Sequence, residues 1–221
     1  ALQMLVVLCG VPGSGKTTLS RNLERNLRSS LEGVSVRTVH VDEFYEGGER
    51  VLECSGSYSE GRKRGAEKAV EFLSQEGKRS VVVLDDTHYY RSMRKQALQI
   101  AKRCGAKVVF VWCRCDLQTA LDRNEARGLT VPQAAVLQMW ERFEPPKQKG
   151  WDTAYEYNGD VEPLLKHLQS EWHVNTADKN DDKDNSYAAN NNNGSLHHHR
   201  IDIALRKELS ALVSACKTNK K

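Results

Sequence analysis

Three observations predict an α/β fold. A glycine-rich loop sits between an apolar strand and an amphipathic helix, a second apolar run closes on two carboxylates, and runs of both kinds alternate along the chain. The expected architecture is a five-stranded, mainly parallel sheet with helices on both faces and a small helical C-terminal appendage. Residues 1–172 read as the domain, 173–199 as a disordered Asn/Asp-rich linker, and 200–221 as a last helix that either docks back on the core or serves a partner.

The first strand is Met4-Leu5-Val6-Val7-Leu8-Cys9, followed by Gly10-Val11-Pro12-Gly13-Ser14-Gly15-Lys16-Thr17 and by a helical pattern with Leu19, Leu23 and Leu27. Glycines at these positions let backbone N–H groups converge on phosphate oxygens, and a helix N-terminus adds partial positive charge at the same point. This is the signature of the P-loop NTPase fold. Gly10, Pro12, Gly13, Ser14, Gly15, Lys16, Thr17 and Thr18 are therefore the candidate nucleotide contacts. Lys16 is placed to reach the β- and γ-phosphates, and the Thr17 hydroxyl to ligate Mg²⁺.

Val34 to Val41 alternates like a strand and ends in Asp42, at the carboxyl edge where open α/β sheets gather ligands. Asp42 suits a catalytic role there, and a helix N-cap equally well. From Gly47 to Gly61 the residues are small and aperiodic, which reads as a mobile loop. Arg62-Lys63-Arg64 then opens a helix running to about Gln75. Cations at a helix start oppose the macrodipole, so the triplet hints at an anionic partner.

Ser80-Val81-Val82-Val83-Leu84 has the continuous apolar character of a central parallel strand, and Asp85-Asp86 at its end are candidate Mg²⁺ ligands. Thr87-His88-Tyr89-Tyr90-Arg91-Ser92-Met93-Arg94 leads into the next helix. Arg91 and Arg94 are free to pair with phosphate or with carboxylates, and His88 reads as a structural hydrogen bonder. Lys107 to Cys113 is a fourth strand, and Asp116 caps a helix from Leu117 to Ala126. At its end Arg123 and Arg127 share one face and are candidate catalytic arginines of a lid; the plainer reading is a helix C-terminus carrying favourable cations. Pro132 opens a helix to about Phe143, Trp151 to Tyr157 reads as the last strand, and Val161 to Trp172 as the closing helix.

A net charge of +4 permits a nucleic-acid partner without requiring one. Basic residues at 62–64, 78–79, 91, 94–95, and 102–103 are a candidate RNA-facing surface. The six cysteines show no zinc-site spacing and read as reduced thiols of a cytoplasmic protein. No apolar run reaches membrane-spanning length, no signal peptide is seen, and no membrane partner is expected. The oligomeric state is left open, with a homodimer among the alternatives.

Beyond these readings, four stretches together resemble L-seryl-tRNA(Sec) kinase: the loop from Gly10 to Thr17, the run from Leu84 to Arg94, Arg123 to Gly128, and Met139 to Pro146. The resemblance covers residues 5 to about 157, and its most discriminating part is the Asp-Asp-x-x-Tyr-Tyr-x-Ser-Met-Arg run. Asp202 to Lys207 is similar to the last helix of eukaryotic members, while the segment between Asp42 and Arg62 is shorter than in vertebrate ones. The resemblance implies ATP and Mg²⁺ as cofactors and the seryl hydroxyl of Ser-tRNA(Sec) as acceptor. It places Lys16 and Thr17 at ATP and metal, Asp42 at the hydroxyl, Asp85 or Asp86 at Mg²⁺, and Arg123 or Arg127 in the lid. Tyr89, Arg91 and Arg94 are the candidate substrate contacts. The Elongator-associated KTI12-type ATPases are similar as well, sharing the fold, a tRNA connection and an Asp-x-x-x-Tyr-x-x-x-x-Arg run.

Overall fold

In the computed structural model the elements follow in the order β1 (Gln3–Cys9), α1 (Lys16–Ser30), β2 (Val34–His40), a 3-10 turn (Val41–Phe44), α2 (Ser55–Leu73), β3 (Arg79–Asp85), α3 (Arg91–Arg103), β4 (Lys107–Cys113), α4 (Leu117–Ala126), α5 (Gln133–Glu141), β5 (Ala154–Tyr157) and α6 (Val161–Ala177). The structure describes residues 2–44, 55–75, 79–128 and 130–177. Most of the Asn/Asp-rich segment and the whole of the last expected helix lie outside them.

The five strands form one sheet in the order β2-β3-β1-β4-β5. Every pairing is parallel, so the expected "mainly parallel" sheet is wholly so. Alternation along β1 sends Met4, Val6 and Leu8 to one face, against Leu19, Leu23 and Leu27 of α1 and Leu164, Leu168 and Trp172 of α6. Leu5 and Val7 go to the other face, against Ala69 and Leu73 of α2 and Ala97, Ile100 and Ala101 of α3. A strand covered on both faces has to be apolar throughout, which is why β1 and β3 read as unbroken hydrophobic runs. Truncating a fully buried leucine here, such as Leu23, costs about 2–5 kcal/mol by cavity formation.

The last strand is shorter than the sequence reading, beginning at Ala154 rather than Trp151, and the bounds of two helices differ further. Helix α2 begins at Ser55, not Arg62, so the part of the expected loop from Ser55 onward is helical and the basic triplet lies well inside the helix. The dipole argument for an anionic partner therefore lapses. Local composition there is weakly helical, and the helix as a whole packs on the 3-10 turn and β3. At the other end α6 continues past Trp172 to Ala177.

Candidate active site

Parallel topology brings the carboxyl ends of β1, β2, β3 and β4 to one edge, and the loop after β1 wraps the start of α1 there. Gly15 stands at the helix N-cap with φ 92° and ψ 8°, and no side chain caps the first turn. The first-turn amides of α1 are thus left without a side-chain cap, which suits an anion. Gly13, at φ 85°, is constrained from outside as well: a Cβ there would sit 2.2 Å from the Ala120 carbonyl oxygen of α4. Lys16 is buried, and its Nζ donates to Val11 O at 2.7 Å and to Ser14 Oγ at 3.3 Å, closing the loop over itself.

Asp85 and Asp86 both end β3, but their surroundings differ. Asp85 Oδ2 accepts from Ser20 Oγ at 3.1 Å and meets His40 Nδ1 at 2.9 Å, tying β3 to α1 and β2. That hydrogen bond raises the His40 pKa above its ordinary value, against the opposing effect of burial. Thr17 O lies 2.9 Å from the same Ser20 Oγ, so the one hydroxyl proton is shared between the Asp85 carboxylate and the backbone of the loop threonine. Asp86 Oδ1 accepts from Thr87 N at 2.6 Å, and Oδ2 pairs with Arg62 Nε at 3.0 Å. Burial pushes the Asp86 carboxyl up, yet the Arg62 guanidinium, with smaller help from His88, the Thr87 amide and Lys16, outweighs it and holds the group below its usual range.

Asp42 occupies the 3-10 turn directly after β2, exposed at the same edge. In register His40 pairs with Asp85, so Asp42 lies across β3 from the phosphate loop. Arg123 Nη1 reaches Gly13 O at 3.5 Å, bringing one expected lid arginine to the loop. Arg127 instead folds back on its own helix, its Nε on Arg123 O at 3.1 Å. Asn124 between them is fully buried and clamps Val131 by both amide atoms, fixing the turn that carries both arginines.

The Tyr89, Arg91 and Arg94 side chains are drawn inward. Tyr89 is 1% exposed and packs with Tyr90, Met93, Met139 and Phe143. Arg94 is 0% exposed; its Nη2 pairs with Asp152 Oδ2 at 3.2 Å and its Nη1 donates to His88 O at 3.0 Å. Arg91 joins the same Asp152 oxygen at 3.2 Å and lies over the Trp151 ring. Of the pairings open to these arginines, the structure uses carboxylates, and Arg94 is withdrawn from the expected RNA-facing surface. His88 carries a φ of 38°, gives Nδ1 to Leu8 O at 2.8 Å, and is pushed down to about 4 by burial. It is a structural hydrogen bonder, as expected. Gly10 N donates to Thr87 O at 2.9 Å, so the crossover after β3 is bonded directly to the start of the phosphate loop.

Asp152, Glu144, Asn124 and Ser20 are the residues that sequence reasoning missed. Glu144 accepts the Arg91 amide and so caps α3 from 53 residues away. Its place in Phe143-Glu144-Pro145-Pro146 reads only as a helix stop. Asp152 beside Trp151 gives no local signal at all, since its partners come from α3.

Nucleotide fits the loop: the open amides, the buried ammonium and the glycine packed by α4 form a cradle for a polyphosphate. Among the described residues no group of three His, Cys, Asp or Glu forms a metal cage. The Thr17 hydroxyl and the β3 carboxylates would offer a cation here an oxygen-only set, the kind that suits Mg²⁺.

A model of the family described as chromatin associated protein KTI12 matches residues 4–221. The chain belongs to this family. It is also 28% identical over 152 residues to the L-seryl-tRNA(Sec) kinase of Methanococcus maripaludis, covering 67% of this chain and 56% of that protein. The Mus musculus L-seryl-tRNA(Sec) kinase is 32% identical over 77 residues, covering 35% of this chain and 21% of that protein. The chain thus spans about half the length of the archaeal relative and less of the mouse one. Chaetomium thermophilum Kti12 in complex with ADP-AlF3 superposes with a TM-score of 0.58 at 20% identity, covering 76% of this chain and 97% of that one. The Mycobacterium tuberculosis APS kinase CysC in complex with AMPPNP and APS does so at 0.54 and 19%, covering 76% and 96%. These two likenesses establish the P-loop kinase fold, and both resemblances drawn from the sequence stand.

Proposed function

We propose that the chain is an ATP- and Mg²⁺-dependent kinase that phosphorylates the seryl hydroxyl of Ser-tRNA(Sec), giving O-phosphoseryl-tRNA. One observation carries the reading: an exposed Asp42 stands across β3 from a phosphate loop, with two buried carboxylates between them. This is the order of groups that an acceptor hydroxyl, a metal and a triphosphate require. The archaeal relative named for that activity, matched over 152 residues, supports the choice of acceptor.

In this mechanism the loop amides and Lys16 hold the β- and γ-phosphates, and Thr17 with Asp85 and Asp86 would hold Mg²⁺. When bound, the metal would supply neutralisation of phosphate charge. Asp42 orients the seryl hydroxyl and takes its proton as the oxygen attacks. Arg123, already against Gly13, follows the charge on the transferring group, and Arg127 joins it once it leaves the Arg123 carbonyl. Buried thiols at Cys9 and Cys113, pushed up to about 12 by burial, are inert and accord with a reducing cytoplasmic setting.

A second reading has its own support, because the family model extends over 4–221: a KTI12-type ATPase that hydrolyses nucleotide while bound to a tRNA-modifying assembly. The two differ in product. Incubation with γ-labelled ATP and Ser-tRNA(Sec), Ser-tRNA(Ser) or free serine should label Ser-tRNA(Sec). Free phosphate released in a tRNA-stimulated manner, with no labelled aminoacyl-tRNA, selects the ATPase, and labelled serine selects a small-molecule kinase. Asp42→Asn should keep nucleotide affinity and lower transfer by about 10²–10⁴-fold; normal transfer by this variant would remove Asp42 from the mechanism.

A further inference from the structure

Of the basic triplet, only the fold says what its first member does. Arg62 and Asp86 meet with their side chains 16% and 5% exposed, and Thr87 N holds the other Asp86 oxygen. Both oxygens of a candidate metal ligand are therefore engaged by protein donors, one of them a guanidinium. The helix bearing that guanidinium is seated at the site by a second contact. A Cβ on Gly65 would lie 2.9 Å from Val41 Cγ2, so α2 rests its backbone on the residue preceding Asp42. One turn of α2 thus touches both acidic positions, Asp86 through Arg62 and the Asp42 turn through Gly65.

Asp85 shows the contrast. Its oxygen is held by a neutral hydroxyl and an imidazole, which tie elements together without placing a permanent charge on the carboxylate. A cation approaching Asp86 has to displace Arg62 from Oδ2 or share the oxygen with it against like-charge repulsion.

We propose that Arg62 competes with the divalent cation for Asp86, so that metal loading of the nucleotide site is coupled to the seating of α2. The inference rests on Asp86 being a metal ligand. Two ligands that exclude each other on one group weaken each other's apparent affinity by the same factor, so removing Arg62 favours the metal.

The test needs neither RNA nor phosphoryl transfer. A fluorescent ADP analogue is bound to the full chain, and Mg²⁺ is titrated in from a chelator-buffered solution. Arg62→Gln should lower the half-saturating Mg²⁺ concentration by about fivefold or more. Arg62→Lys, which keeps the charge but not the fork, should fall between the two and carries the test if the glutamine variant does not fold. Asp86→Asn should raise the Mg²⁺ requirement and abolish the effect of Arg62→Gln in the double variant. If Asp86→Asn raises the requirement while Arg62 variants leave it unchanged or raise it, the competition is disproved and the metal assignment stands. If Asp86→Asn leaves it unchanged, both are overturned.

Discussion

Gly10 to Thr17 leaves the first-turn amides of α1 without a side-chain cap and keeps one ammonium folded over them. The crossover from Thr87 to Arg94, joined to it through Gly10 N, engages its polar groups inward: His88 on Leu8, Arg94 on His88 and Asp152, Arg91 on Asp152 and Glu144. One region is open to a ligand and the other is closed by its own ions. The difference teaches that a cradle of unsatisfied donors needs a neighbour that cannot move. A loop rich in glycine has no side chains with which to brace itself, so rigidity is supplied from the adjacent strand end.

The comparison breaks first at Lys16. Lys16→Met should lower nucleotide-dependent phosphoryl transfer by about 10³-fold or more, measured with labelled ATP, because the charge on the transferring group loses its nearest cation. Its thermal midpoint should change little, since the two hydrogen bonds lost within the loop are offset by removal of a buried charge. Arg94→Met should do the reverse. It leaves Asp152 buried with less compensation and should cost about 3–5 kcal/mol in urea unfolding. The double variant with Asp152→Leu should recover much of that loss, because Arg94 Nε and Asp152 Oδ1 already lack partners.

Two histidines sharpen the same contrast through pH. Below its ordinary value of 6.5, the unfolded chain protonates His88 while the folded protein resists until about 4. Stability tied to His88 is therefore complete above 6.5 and lost as pH falls toward 4, and His88→Gln should flatten that acid limb in thermal melts. His40 has the opposite sign. Its raised pKa gives stability that is present below 6.5 and lost as pH rises through the folded value. His40→Gln should remove that alkaline decline, a shift of about a degree or two in Tm and the smallest effect expected here.

Much of this was legible in the chain. The strand, loop and helix around Gly10 to Thr17 announce themselves because the chemistry is made by contiguous backbone. Asp116 reads as an N-cap and is one, accepting from the Thr119 amide at 2.8 Å. For Arg62 and Arg94 the sequence leaves open both a charged surface and, for Arg94, a carboxylate partner, for a single reason. Whether a cation faces water or a carboxylate depends on what lies across the sheet, and Asp86 and Asp152 are 24 and 58 residues away. The start of α2 is hidden too, since the glycines and serines from Gly47 to Gly61 suggest a loop, while the helix begins at Ser55.

The sequence by itself determined the parallel α/β class, the phosphate cradle and the two carboxylates ending β3, because each depends on residues adjacent in the chain or on a period of two. Only the tertiary structure decided which carboxylate takes a guanidinium, which arginine reaches the loop and which are sealed in the interior. Those are choices among charges of one sign, and Coulomb interactions act through space at a few ångströms, a distance that sequence separation does not encode.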